Sequence, residues 1–169
     1  MSAGSYRGNA LKELGRCREA IIDHNRAINL APEFFGFYSN RANTLREQKE
    51  YTAALTDYDR AIQINPNYAD AFNGRGNVFC DLKRYDEALA AYDKALSIKP
   101  DLENAWLGRG DVFFSLRRYD EALAAYDKAL AIKPDLEGAW LGRGNVFFSL
   151  KRYDEALLRM TRRSLLTPI

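Results

Sequence analysis

Apolar and polar residues along this chain follow the spacing of amphipathic helices, and the whole pattern repeats every 34 residues. The prolines keep the same period and stand at Pro32, Pro66, Pro100, Pro134 and Pro168. A unit of this length accommodates two helices joined by a turn. The predicted repeats are 1–34, 35–68, 69–102, 103–136 and 137–169, and the residue numbers of the first repeat serve as position numbers for all five.

Each repeat carries two apolar faces, which predict two helices. Positions 4, 11 and 14 form the first face, and positions 17, 20, 21, 24, 27, 28 and 30 form the second. We therefore expect a first helix over about positions 2–14 and a second over about positions 18–31. Asp86 and Glu87 stand at the start of such a second helix and Lys99 at its end, which complements the helix dipole.

Small residues recur where the helices must cross closely. Position 20 is always alanine, position 27 is alanine in four repeats, and position 8 is glycine or alanine. Large aromatic side chains at positions 4 and 24 are expected to fill the space beside them. They are Tyr38, Phe72, Trp106 and Trp140 at position 4, and Tyr58, Tyr92 and Tyr126 at position 24.

These positions resemble those of tetratricopeptide repeats (TPRs). The clearest segments are AWLGRGDVFFSLRRYDEALAAYDKALAIKPD and AFNGRGNVFCDLKRYDEALAAYDKALSIKPD, and the resemblance covers nearly the whole chain. It implies an all-α fold, a right-handed α–α superhelix of about five helix-turn-helix repeats, with residues 1–169 forming a single array. It also implies a scaffold for protein interactions, but it does not identify a partner.

One departure from the TPR pattern is the arginine at position 7, where leucine is usual. We expect its stem to pack on the helices and its guanidinium to meet an acid at position 25, such as Asp59, Asp93 or Asp127. The arginines are Arg7, Arg41, Arg75, Arg109 and Arg143.

Composition narrows the function classes. The formal net charge is only +2, so we expect no nucleic-acid partner. No apolar run has the length of a membrane span, and the N-terminus lacks the apolar segment of a secretory signal. Cys17 and Cys80 have neither metal-site nor redox-motif spacing. A cytoplasmic location without membrane contact is the prediction.

The sequence offers no catalytic constellation. The single histidine, His24, occupies aromatic position 24 and is expected to pack rather than to act as a base. The glycines at positions 6 and 8 fall inside a predicted helix and not in a phosphate-binding loop. We therefore expect a non-enzyme with no catalytic residue, no cofactor and no metal site.

The TPR resemblance implies that the first helices line a concave groove through positions 2, 5, 6, 9, 12 and 13. An asparagine there can both donate to and accept from a peptide backbone. The alternative is that it is an ordinary solvated residue. Position 9 carries Asn9, Asn43, Asn77, Asp111 and Asn145.

Positions 5 and 12 of the groove change from polar to apolar along the chain. Glycines at position 6, such as Gly142, would leave room beside the apolar residues. A partner segment burying them would gain roughly 6–10 kcal/mol before association costs. The alternative is that they pack against neighbouring repeats. The apolar residues are Leu107, Phe114, Leu141 and Phe148.

The carboxylate clamp with which some TPRs hold acidic chaperone tails is not expected. That clamp needs a cationic side chain at position 5 of one repeat and at positions 2 and 6 of the second repeat after it. This chain has Ser5, Asp70 and Gly74 there.

The last repeat breaks off abruptly. Residues 137–157 match residues 103–123 at 18 of 21 positions, but the residues from Leu158 onward lose the pattern. A frameshift explains this, because codons can be chosen for residues 157–169 whose alternate frame translates as AAYDKALAINPD, the expected second helix. The alternative is a purposeful capping or basic tail.

The altered tail predicts poor packing at the end of the array. Arg163 replaces the small residue at position 27 and Met160 replaces the aromatic one, so the last helix should fray, shift or repack. The exposed apolar end predicts a homo-oligomer, a dimer formed through the terminal repeat. The candidates for that contact are Met160, Leu165 and Leu166.

The function predicted from the sequence is a non-catalytic scaffold that binds a peptide or protein segment in its groove. The alternative is a self-assembling TPR array, which could also be a truncated part of a longer protein.

Overall fold

A computed structural model describes residues 3–165, with side chains described for residues 7–151. Within residues 3–165 the chain forms helices and no strand. No helix in this part is long and apolar enough to cross a membrane. The helices are α1 (Ala3–Glu13), α2 (Cys17–Leu30), α3 (Phe35–Glu47), α4 (Tyr51–Ile64), α5 (Ala69–Asp81), α6 (Tyr85–Ile98), α7 (Glu103–Ser115), α8 (Tyr119–Ile132) and α9 (Glu137–Leu165).

The first four repeats each form two helices, as predicted. From repeat two onward the first helix occupies positions 1–13, and the second helix occupies positions 17–30 in all four. Both begin and end one residue before the expected bounds. In repeat two the second helix ends at Ile64, and the amide of Asn65 still donates to the carbonyl of Ala61. Pro66 follows and cannot continue the helix.

The turn inside each of these repeats has one geometry. The amide of position 16 donates to the carbonyl of position 11, and that of position 15 donates to position 12, as in a Schellman motif. Position 15 is therefore left-handed, and only the first repeat has glycine there. The φ angles are 72° at Gly15, 62° at Lys49, 59° at Lys83 and 60° at Arg117.

Repeat five differs from this pattern. The equivalent turn residue, Lys151, lies within α9, a single helix of 29 residues. A left-handed lysine costs roughly 1–2 kcal/mol, which only the packing of a second helix can offset. Arg163 would bring a charge to a crossing where the described repeats bury alanine, at a cost of several kcal/mol. The straight helix avoids both costs.

The chain divides into two compact units, Met1–Ala105 and Trp106–Ile169. In the first unit, α1 packs on α2, α3 on α4 and α5 on α6, and successive pairs pack on each other. Its core includes Phe37, Tyr38 and Tyr58. In the second unit, α8 packs against α9.

Small residues and aromatic rings meet as the sequence predicts. The alanines at position 20, such as Ala54 and Ala122, are fully buried. A Cβ built at Gly110 would lie 2.4 Å from the ring of Tyr126, and one at Gly76 would lie 2.6 Å from Tyr92. At Gly76 and Gly110 a side chain would therefore collide with the ring of position 24, whereas repeat two accommodates Ala42 at the same position.

Candidate ligand-binding groove

The polar end of the predicted groove is held by ion pairs between successive first helices. Lys12 on α1 lies 3.4 Å from Glu47 on α3. Arg46 on α3 donates to Asp81 on α5 at 2.7 Å. Each cation at position 12 therefore has an acid of the next repeat as its partner, which reduces its attraction for an acidic ligand.

The residues at position 9 have a structural role that the sequence analysis did not find. The hydroxyl of Tyr58 donates to Asn43 Oδ1 at 2.6 Å, and that of Tyr92 donates to Asn77 Oδ1 at 2.7 Å. Each bond joins the second helix of a repeat to its first. The only sequence signal was that Asn at position 9 and Tyr at position 24 occur together in repeats two and three, with Asp111 and Tyr126 in repeat four.

Asp111 takes the same role in repeat four, with a carboxylate in place of an amide. The hydroxyl of Tyr126 donates to Asp111 Oδ1 at 2.9 Å. Asp111 is exposed at the surface, yet the protein atoms crowded around it raise the pKa of its carboxyl, and the bond from Tyr126 offsets part of that rise. Asn145, the counterpart on α9, is exposed.

His24 packs inside the first repeat, as the sequence predicts. It is fully buried, and a Cβ built at Gly8 would lie 2.6 Å from its ring. Within residues 7–151, neither ring nitrogen of His24 has a hydrogen-bond partner. Burial lowers the pKa of His24, so the neutral form is favoured. Asn9 is half-buried on the same repeat.

The apolar end of the groove lies within the second unit. Leu107 and Phe114 on α7 are half-buried, whereas Leu141 and Phe148 on α9 are 65% and 63% exposed. Leu107 also lies against the start of α9, because a Cβ built at Gly138 would be 3.2 Å from its Cδ2. The four side chains thus occur on two helices of one compact unit.

The glycines at position 6 do not leave empty space in the groove. A Cβ built at Gly142 would lie 2.4 Å from the ring of Tyr126, and one at Gly74 would lie 2.4 Å from Tyr58. The tyrosine of the preceding repeat fills the space that was expected beside the apolar residues.

Two of the arginines at position 7 form the predicted pair with an acid at position 25. Arg75 contacts Asp59 and Arg143 contacts Asp127, each at 2.9 Å. Arg41 instead makes two bonds, of 2.7 and 2.6 Å, to Asp57. The guanidinium of Arg143 also lies 5.2 Å from the ring centre of Trp140, a cation–π distance.

A second exposed face lies beside the groove on α9. Trp140 and Phe147 are 53% and 52% exposed, whereas Phe113, the counterpart of Phe147 in repeat four, is only 6% exposed. No described atom lies within 4 Å of a Cβ built at Gly144. In repeat four the second helix of the hairpin covers the equivalent positions. In repeat five α9 continues as a straight helix, so no second helix returns over this face.

The predicted oligomerisation residues cannot be placed. Met160 and Leu165 lie on the backbone of α9, but their side chains are outside the described residues, and Leu166 is outside them altogether. Among the described residues, no group of His, Cys, Asp and Glu could hold a metal ion.

The recurring positions identify the family. A model of the TPR repeat matches residues 42–80, 76–116 and 110–151. The chain belongs to the TPR repeat family. The TPR resemblance and the all-α helical-repeat fold class are therefore confirmed. A comparison with curated protein sequences finds no significant match.

Solved TPR structures share the fold. The Arabidopsis OM64 TPR domain is 26% identical, with a TM-score of 0.66 over 69% of this chain and 97% of that domain. A thermophilic TPR protein of Thermus thermophilus is 24% identical, with a TM-score of 0.78 over 86% of this chain and 80% of that one. The first TPR of Spaghetti (RPAP3), bound to the HSP90 peptide SRMEEVD, is 19% identical, with a TM-score of 0.66 over 70% and 94%.

Proposed function

We propose that this chain is a non-catalytic TPR scaffold that binds an extended apolar segment of a partner protein at the apolar end of its groove. The carrying observation is the exposure of Leu141 and Phe148 on α9, next to Leu107 and Phe114 of the same unit. TPR proteins are generally interaction modules without catalytic activity, and one with this fold holds a peptide.

The polar end argues against an acidic peptide as the ligand. The HSP90 peptide held by Spaghetti contains two glutamates and an aspartate. Here Lys12 and Arg46 are already paired with Glu47 and Asp81, and Asp70 stands where a clamp needs a cation. A neutral, apolar segment is the better match to this surface.

The residues at position 9 contribute less to peptide binding than a row of asparagines without other hydrogen bonds would. Asn43 and Asn77 each use one lone pair of the carbonyl oxygen to accept from tyrosine, which leaves the amide N–H groups and one further lone pair for a peptide. Asn9, Asp111 and Asn145 complete the proposed row. We propose that this row orients the segment and that the apolar residues supply the affinity.

The expected affinity is moderate. Burying two leucines and two phenylalanines would yield roughly 6–10 kcal/mol, less because Leu107 and Phe114 are half-buried already. Association and ordering cost at least about 4 kcal/mol. The remainder of about 2–6 kcal/mol corresponds to dissociation constants from tens of micromolar to tens of millimolar.

Fluorescence anisotropy with two labelled probes tests this function. The first is a capped ten-residue peptide of alternating leucine and serine, and the second is SRMEEVD. We expect the apolar peptide to bind and Phe148→Ala to weaken that binding about tenfold, through loss of one buried ring. Phe147→Ala is the matched control, because Phe147 is about as exposed but stands at position 11, which is not one of the groove positions.

Two results would contradict the proposal. One is tighter binding of SRMEEVD than of the apolar peptide, which would move the ligand site to the polar end. The other is equal binding by wild type and the Phe148→Ala variant while circular dichroism shows the helices intact.

A second candidate function is self-association through the terminal repeat, favoured by the uncovered face around Trp140 and Phe147. Met160, Leu165 and Leu166 are proposed to contribute to that contact. Light scattering across a concentration series tests it, with a dimer expected at high concentration. A monomer at every concentration would rule it out.

The remaining predictions extend this proposal. We propose that residues 1–169 act as one array of repeats, 1–34, 35–68, 69–102, 103–136 and 137–169, and that a frameshift produced the residues after Leu157. The coding DNA tests the frameshift, since its alternate frame must translate as a TPR helix. A cytoplasmic location and the lack of a nucleic-acid partner stay predictions.

A further inference from the structure

The turn that is absent from α9 leaves a helix face without its usual cover. In repeats one to four, the left-handed residue at position 15 lets the second helix return along the first. At Lys151 the helix continues, so residues 152–165 extend away from Trp140, Gly144 and Phe147. Residues 152–165 could cover this face, but as the continuation of the same straight helix they cannot fold back onto it.

The detached half of α9 keeps the main features of the missing cover. Residues 152–165 give it the same length as α4, α6 and α8, which have 14 residues each. It begins with Tyr-Asp-Glu-Ala-Leu at 153–157, the same five residues that begin α6 and α8. In those helices the alanines, Ala88 and Ala122, are fully buried against the first helix.

We propose that two copies of this chain exchange these helices, so that residues 152–165 of each copy cover Trp140, Gly144 and Phe147 of the other. The inference rests on the self-association proposed for the terminal repeat. Exchange avoids the left-handed lysine that a hairpin within one chain requires, so only the cost of Arg163 remains to be offset by the burial of Trp140 and Phe147 in both copies. Domain exchange of this kind closes as a symmetric dimer, because both copies give and receive the same element.

The register follows from the intact repeats. Position 8 meets position 24 in repeats one, three and four, as Gly110 meets Tyr126. Gly144 of one copy would therefore meet Met160 of the other, and the two α9 helices would run antiparallel about an axis near residue 152.

Disulfide trapping tests the register. The starting chain carries Cys17→Ser and Cys80→Ser, which remove the two native thiols. Adding Gly144→Cys and Met160→Cys should give a covalent dimer on mild oxidation, seen by non-reducing electrophoresis and intact mass. The variant with Gly144→Cys alone is the control and should not cross-link, because in this register its two thiols lie about 24 Å apart.

Each other outcome has a distinct meaning. A monomer whose two thiols have joined would show that α9 folds back on itself, which overturns the exchange. Free thiols in a dimer detected by light scattering would overturn the exchange but retain self-association. Free thiols in a monomer would overturn both the exchange and the self-association. Binding of the apolar peptide tests the groove separately.

A substitution at Lys151 tests whether the left-handed turn is the reason for the exchange. Lys151→Gly removes the penalty of the left-handed turn and weakens the straight helix, so it should raise the dimer dissociation constant about tenfold. Lys151→Ala is the matched control, since alanine favours the straight helix and offers no relief in the turn. Equal dissociation constants for the two variants would contradict the proposed role of the turn.

Discussion

Residues 103–123 and 137–157 have nearly the same sequence and different structures. They differ only at 104 and 138, 111 and 145, and 117 and 151. In the first segment Arg117 is left-handed and the chain turns back as α8. In the second, Lys151 is helical and the chain continues as α9.

The difference teaches that the local sequence does not decide whether this turn forms. Arginine and lysine have similar helix propensity and are equally disfavoured in the left-handed region. What distinguishes the segments is the residues that follow, Ala124–Ile132 against Leu158–Leu165. Tyr126 lies against Gly110 of α7 and Ala129 is fully buried, and this packing recovers the cost of the turn. Repeat five has Met160 and Arg163 at these positions.

The largest effect should come from replacing residues 158–169 with AAYDKALAINPD. The new tyrosine and alanine would let the second helix pack, bury Trp140 and Phe147, and raise the free energy of unfolding by roughly 4–6 kcal/mol. Urea denaturation measures the gain, and amide exchange locates the turn at Lys151. A shuffled version of the same twelve residues is the control. Equal stability of the two replacements would refute this account.

The reverse change should open the regular hairpin. Ala129 is fully buried at the crossing, so Ala129→Arg introduces the charge found at Arg163 and should cost about 3–5 kcal/mol. Hydrogen exchange should show lost protection throughout α8. Lys128→Arg, one residue away and exposed, should change little. Full protection of α8 in Ala129→Arg would mean that this charge is tolerated.

A pair of glycine substitutions should have opposite signs. Gly110→Ala places a methyl group 2.4 Å from the buried ring of Tyr126 and should cost about 1–3 kcal/mol. Gly144→Ala meets open space in a helix and should gain up to about 1 kcal/mol. Thermal unfolding at a concentration where the chain is monomeric measures both. A matching loss at Gly144 would show that the face is covered.

The smallest effect concerns Asp111, one of the three positions that differ. Its pKa is raised in the folded chain, so the folded state binds more protons, and its contribution to stability falls as pH rises through the carboxyl range. Asp111→Asn should therefore stabilise by roughly 0.5 kcal/mol at pH 7, an advantage that disappears toward pH 3. Asn77→Asp should lose a similar amount at pH 7. Denaturation at several pH values measures this, and a pH-independent difference would contradict it.

Most of the fold could be predicted because each sequence signal occurs in several repeats. The prolines set the period, and the small and aromatic positions gave helix bounds within one residue. The pairs of Arg75 with Asp59 and Arg143 with Asp127 also followed from spacing. These features depend on residues that recur in a fixed register.

Other features could not be predicted, because they depend on competition between distant groups. Nothing in the sequence around Lys49 or Lys83 marks a left-handed residue, since glycine appears at that turn only as Gly15. The sequence indicated that Arg163 could not pack, but not that the chain would respond by straightening at Lys151. The tyrosine bonds of Asn43 and Asn77 also required the structure.

The strained basic residue at each turn has a consequence for how such arrays gain and lose units. A copied unit with a damaged second half does not stop as a half-closed hairpin with unpaired amides. It defaults to a straight helix, in which each amide past the first turn finds a carbonyl of its own segment. A terminal repeat that loses the packing residues of its second helix is therefore expected to add a helical extension to the array without unfolding the units before it.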